Sequence, residues 1–244
     1  MSNAGGLIGR LALAVGVVAA TLILAGGPLY RFGGLDLKTA MLTLPTYGIY
    51  AAMAAGVLAI IWVVVALVTR SSAGLVAVIV AVVVAAGAAY FPISMVVTAR
   101  ALPEIHDITT DTGNPPQWVA LLEERKAATN GANYDPAAAA EQQKGYPEIQ
   151  TFNSPAQAAE LFEKAKKVAT DMGWQIVAAE PAEGRIEATD TTMWFGFKDD
   201  VVIRIVADGS GSKLDIRSMS RIGKSDLGKN AMRIRDFLTR LKAA

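Results

Sequence analysis

Two clusters in this sequence hold residue types that do chemistry. The first is Ser218-Met-Ser-Arg-Ile-Gly-Lys-Ser-Asp-Leu-Gly228, where Gly223-Lys224-Ser225 follows a strand-like run and precedes a helix-like run. A nucleotide-binding loop places its Gly-Lys-Ser there, because glycines let backbone amides wrap the phosphates and the lysine reaches them. That loop requires a further glycine at position 218, which is a serine here. No parallel strand pattern follows the helix to carry a magnesium-binding acid. Neither a nucleotide nor a nucleic acid is expected as ligand.

Without a nucleotide the stretch reads as a strand-to-helix turn. Gly223 makes the bend, and Ser225 or Asp226 caps the helix. Asp226, Asn230 and Arg233 are spaced four and three and share one helical face. Residues 213–244 hold 9 basic and 3 acidic groups, whereas residues 101–212 hold 9 and 18. The last strand and helix are thus a basic unit in an acidic surrounding. Two readings follow. The basic groups pair with acids of the same domain, such as Asp199, Asp200 and Glu187. Alternatively, Arg217, Ser220, Arg221, Ser225, Asn230 and Arg233 form an anion site at a helix N-terminus, for which a lipid headgroup is the natural anion on a membrane-tethered domain.

The second cluster, His106-Asp-Ile-Thr-Thr-Asp111, carries the only histidine. His106, Asp107 and Asp111, with Asp226 if the chain folds back, are the side chains a metal-assisted hydrolase would use. The competing reading is a structural hydrogen-bonding group. No second histidine, no cysteine and no G-x-S-x-G elbow completes a site, so no catalytic residue is assigned and no cofactor is expected. The lack of cysteine also excludes disulfides and thiolate metal centres.

Two very different halves must position these clusters. Residues 1–100 contain five basic residues and one acid, Asp36. Three apolar runs there, Leu7–Leu29, Tyr47–Val68 and Leu75–Val97, reach the ~20 residues that cross a bilayer core. The first run is longer than a signal peptide needs, and two more follow. No Asp, Glu, Lys or His lies inside a run, which argues against transport. The terminal amine, Arg10 and Arg70 on one side nearly balance Arg31, Lys38 and Arg100 on the other, so charge does not set the topology.

Residues 101–145 are rich in turn formers, with Pro115-Pro116 opposing regular pairing, and read as an irregular segment wrapping the domain. Short helices fit Trp118–Lys126 and Pro136–Lys144. From 146 onward regular elements begin with a strand at Tyr146-Pro-Glu-Ile-Gln-Thr-Phe152. Ser154-Pro-Ala-Gln157 reads as a capping box opening a helix that ends at Gly173. Strands are predicted over 174–180, 185–190, 201–207 and 213–221, with a less regular "MWFGF" between the second and third. The turns "PAEG" and "DGSGS" suit hairpins. Alternation in 185–189 and 214–219 predicts one buried and one wet sheet face. A final helix over 226–242 buries Leu227, Ala231, Ile234, Leu238 and Leu241.

"PEIHDITTD", "FKDDVVIRI" and "DIRSMSRIGKSDLGKNAMRIR" together resemble the family catalogued as domain of unknown function 1499 (DUF1499), over about residues 101–242. The resemblance implies no established activity. It implies that the His-Asp start and the Ser-Arg strand end are matched family positions, and it favours a periplasmic domain. The expected chain is α+β: a three-helix transmembrane region (1–100), a wrapping segment (101–145), and an antiparallel sheet in the order β-α-β-β-β-β-α with both helices on one face (146–244). The expected function is a multi-pass inner-membrane protein whose domain is a non-enzymatic binding or accessory module for a membrane lipid or a membrane-protein complex. A hydrolase and a purely structural subunit are the alternatives.

Overall fold

The structure, a computed structural model, describes residues 3–244. The chain divides into two compact units, the first ending at Val97 apart from residues 194–196, the second holding the rest.

The first unit contains α1 (Asn3–Gly33), α2 (Leu44–Thr69) and most of α3 (Leu75–Ala101). A π-helical stretch, Thr39–Thr43, runs directly into α2. All three helices are long and apolar enough to cross a membrane. Counting the π-helical entry with α2, the shortest of the three is α3, whose 27 residues reach ~40 Å at 1.5 Å per residue, against ~30 Å of hydrocarbon core. α1 and α2 extend beyond their apolar runs at both ends, and α3 beyond the C-terminal end of its run. Small residues mediate their contacts. A Cβ at Gly16 would lie 2.9 Å from the Ala81 carbonyl oxygen, and Ala12, Ala19, Ala55 and Ala81 are buried. In lipid, such close backbone approach is what holds helices together. Trp62 turns inward and its indole N–H donates to the Ala73 carbonyl at 2.8 Å. Val57, Ile60, Val64 and Leu67 face outward.

The second unit is an antiparallel six-stranded sheet with helices. Its elements are β1 (Asp107–Thr109), α4 (Leu122–Ala127), α5 (Ala137–Gly145), β2 (Phe152–Ser154), α6 (Ala158–Asp171), β3 (Gln175–Glu180), β4 (Arg185–Thr191), β5 (Lys198–Asp208), β6 (Gly211–Ser220) and α7 (Lys229–Ala243). The order is β1-β6-β5-β4-β3, and β2 pairs with the other end of β6 on the same edge as β1. The hairpin turn between β3 and β4 ends on Gly184, whose φ of 61° is a left-handed value that suits glycine. A side chain there would also collide with the Ile205 carbonyl.

Helices α6 and α7 cover one face. Leu161, Phe162, Ala165 and Val168 of α6 and Ala231, Ile234, Phe237 and Leu241 of α7 meet Ile186, Val201, Ile203, Ile205, Leu214 and Ile216 in one core. Trp174 stacks on Phe237 with centroids 5.4 Å apart. Phe237, absent from the four-three stripe predicted for this helix, is its most buried large side chain.

Several local expectations are corrected. The first strand is not Tyr146–Phe152. Only Phe152–Ser154 pairs with β6, and the earlier residues turn. Ser154 belongs to that strand and so does not open α6. Its Oγ accepts from Ala156 N at 3.1 Å, Gln157 takes the N-cap position without a side-chain cap, and the helix starts at Ala158. Ladder pairing of Ser154 with Ser212 outcompetes the capping box. The "MWFGF" run is turn and coil. Strand β1, only three residues long, arises inside the segment read as irregular.

The largest correction concerns the second sheet face, expected to be wet. Glu187, Asp200 and Arg217 on it are fully buried. The chain between β1 and α5 lies over it, with Trp118 and Leu121 packed on Val202 and Met219. The Glu187 carboxylate accepts from three successive backbone N–H groups of that cover, Val119 at 3.1 Å, Ala120 at 2.9 Å and Leu121 at 2.9 Å. Arg185 pairs with the same carboxylate. Alternation therefore separated two chemistries, apolar and ionic, and both faces are covered.

Candidate functional site

The C-terminal end of β6 and the turn after it, through Met219 and Lys224, form one wall of a cleft. The segment entering β1 forms the other. Backbone bonds weld the two. Ser220 N–H donates to the His106 carbonyl at 3.0 Å, and Asp226 N–H to the Ile105 carbonyl at 3.2 Å. Two asparagines clamp the turn from both sides. Asn230 Nδ2 donates to the His106 carbonyl (2.9 Å) and to Ser220 Oγ (3.0 Å). Asn130 Nδ2 donates to the Ser220 and Gly223 carbonyls at 3.0 and 2.9 Å. The two clusters read from the sequence, far apart in the chain, thus meet.

The turn itself is held under strain. Gly223 has φ 94°, and Leu227 has φ 54°, a left-handed value that costs an L-residue ~1–2 kcal/mol. Leu227 N–H donates to Ser225 Oγ at 3.2 Å. Asp226 caps α7 although Gly228 occupies the N-cap position. Its two oxygens accept from Gly228 N (2.8 Å) and Asn230 N (2.7 Å). Burial pushes the Asp226 carboxyl above its ordinary value, these two amides pull it back, and nearby Asp199 adds to the rise. From this group alone, stability is full below the ordinary aspartate pKa and is lost as pH rises through the raised folded value. We expect Asp226→Asn to abolish that acid-range component, so that the wild-type-minus-variant difference in unfolding free energy falls with pH there. A difference curve flat with pH would show an unperturbed carboxyl.

Each arginine of the anion-site candidate faces a carboxylate. Arg217 is fully buried and bidentate on Asp107, at 2.9 and 2.8 Å, with its guanidinium over the rings of Trp118 and Tyr134. Arg221 is bidentate on Asp200 at 2.8 and 2.9 Å, and Arg125 shares that carboxylate at 3.3 Å. Arg233 bridges Asp190 (2.7 Å) and Asp199 (2.6 Å) and also donates to Ser218 Oγ and Asn230 Oδ1. Burial alone lowers its pKa, but the two aspartates outweigh that and raise it. Burial depresses Arg125, and it pushes the Tyr134 phenol up to about 12. These arginines are latches between layers of the domain, and neither Arg217 nor Arg221 lines the cleft. Ser220 and Ser225 likewise serve the turn.

The four members of the polar cluster diverge. Asp107 holds Arg217, and Asp226 caps α7. Asp111 accepts from Arg204 at 3.0 Å and from the amides of Gly113 and Asn114. Among the described residues no group of three His, Cys, Asp or Glu side chains is placed to hold a metal ion.

His106 remains open. Its Nδ1 lies 3.2 Å from the Lys224 carbonyl, which only accepts, so Nδ1 is the donor there, and Nε2 has no protein partner. It lines a cavity of about 430 Å³ with Glu104, Ile105, Asn130, Asn133, Asp135, Ala138, Met219 and Lys224. That volume lies within the ~300–1,000 Å³ of small-molecule sites. Glu104, Asn133 and Asp135 carried no signal in sequence, because nothing in local spacing shows that the loop before α5 returns to β1.

Residues 107–241 match the family model described as "Protein of unknown function (DUF1499)". No curated protein and no solved structure matches the chain. The family match begins at Asp107, the partner of Arg217, and runs through the sheet and the clamped turn almost to the end of α7. It takes in more than half of the 244 residues, and the chain belongs to the DUF1499 family.

Proposed function

We propose that the chain is a membrane-anchored, non-enzymatic binding module whose ligand is the phosphate-bearing headgroup of a membrane lipid, taken in the cleft between His106 and Lys224. One observation carries this reading. His106 and Lys224 line a single cavity, and neither side chain forms an ion pair, while Arg217, Arg221 and Arg233 are neutralised inside the domain. The anion chemistry read from the basic C-terminal unit thus moves from its arginines to this lysine. Three helices long and apolar enough to cross a membrane, in the same chain, make lipid the phosphate ligand at highest local concentration. Asp107, Asp111 and Asp226, the carboxylates a hydrolase would draw on, are each engaged within the domain, which favours binding over hydrolysis.

The test is lipid retention by the full chain in mild detergent with phosphatidylethanolamine and phosphatidylglycerol added, counted by native mass spectrometry. Lys224→Gln should weaken retention about fivefold, the equivalent of ~1 kcal/mol for one exposed charged contact. His106→Ala should weaken it by a similar factor, and Lys242→Gln, on an exposed residue at the far end of α7, should leave it unchanged. Equal retention by all three variants sinks the headgroup reading.

A further inference from the structure

We infer that the cleft selects a zwitterionic headgroup, one that carries a primary ammonium beside its phosphate, of the phosphoethanolamine kind. This rests on the headgroup reading and deepens it. The cavity walls carry both signs of charge. Lys224 and the His106 imidazole supply a cation and hydrogen-bonding nitrogens, whereas Glu104 and Asp135 supply two carboxylates that make no ion pair. Glu104 lies two residues before His106 on the segment entering β1. Asp135 lies on the loop before α5, fixed by the Ala137 N–H that donates to its Oδ1 at 2.9 Å. The third carboxylate of the lining, Asp107, is neutralised by Arg217 and does not count. Ile105, Ala138 and Met219 give an apolar floor.

A headgroup with phosphate alone would satisfy Lys224 and set its negative charge beside two carboxylates. A headgroup that also ends in an ammonium meets both signs, and its three N–H donors suit carboxylate oxygens. A quaternary ammonium donates no hydrogen bond and is recognised by aromatic cages, and among the described residues no aromatic ring lines this cavity.

The experiment titrates the detergent-solubilised full chain with glycerophosphoethanolamine, glycerophosphoglycerol and inorganic phosphate, followed by calorimetry. Glycerophosphoethanolamine should bind about fivefold tighter than the other two, as expected for ~1 kcal/mol from exposed carboxylate contacts. The double variant Glu104→Gln with Asp135→Asn should reduce it to the level of glycerophosphoglycerol. Both side chains are exposed, so folding is not at risk. Equal binding of the two headgroups by the native chain, or a preference that survives the double variant, overturns the inference and leaves the headgroup reading standing. No binding of any probe overturns both. Tightest binding of inorganic phosphate also overturns both, since the ligand is then a free anion.

Discussion

Replacing Arg217 with methionine lowers the unfolding free energy by about 3–5 kcal/mol, the usual result of stranding one partner of a buried ion pair. The guanidinium is fully buried, and it joins three parts of the domain at once. It holds Asp107 in β1, reaches the Pro116 and Ala132 carbonyls of the covering segment at 3.3 Å each, and stacks on Trp118 at 5.2 Å. Methionine fills most of the volume, so the loss comes from the Asp107 carboxylate, left buried without its partner. The paired change Arg217→Met with Asp107→Leu removes both charges and should return stability to within about 1 kcal/mol of the native chain. Denaturant unfolding of the full chain in mild detergent reads both values. A single variant losing under about 1 kcal/mol, the typical size of any point change, would falsify the latch role of Arg217.

Glu187→Gln ranks second, at about 2–4 kcal/mol, since hydrogen bonds to a charged group contribute ~1.5–3 kcal/mol and an unsatisfied buried donor costs ~1–3. The carboxylate is fully buried and receives only donors, three backbone N–H groups and Arg185. A glutamine turns one of its two acceptors into an NH₂ that points at an N–H. The cover should then lift locally, and hydrogen exchange should speed up at Val119, Ala120 and Leu121 before it does in the sheet. Glu183→Gln, which touches the exposed side of the same Arg185, should change stability by less than about 0.5 kcal/mol. Unchanged protection of the three amides in the Glu187 variant removes the clamp from the account.

Sequence patterning revealed the helix faces and the hairpins because these depend on near neighbours. Leu161, Phe162, Ala165 and Val168 show their face by spacing alone. The ionic face was hidden for the same reason. Alternation marks Glu187 and Arg217 as opposite to the core but not as exposed, and their partners lie far along the chain. Strand β1 has too few residues to alternate, and its existence depends on β6. At the site, the composition of residues 213–244 pointed to a basic unit, and Asp199 and Asp200, named as its acidic partners, do bind Arg233 and Arg221. Lys224 was visible in the turn, but its openness shows only once the arginines are seen to be engaged. The return of Glu104 and Asp135 to the same cavity is a tertiary fact with no local trace.

Among the described residues strand β6 is the last strand in chain order, and it alone pairs with β1 and β2. Asp107 waits for an arginine 110 residues downstream. Closing so long a loop is slow, since its entropy must be lost before the contacts form. A growing polypeptide therefore carries the covering segment, α6 and the first hairpin as unsealed pieces while the remainder is synthesised. The moment of sealing is set by the emergence of residues 211–220, so a translation arrest before that point yields a fragment with bare apolar surfaces, a natural substrate for proteases.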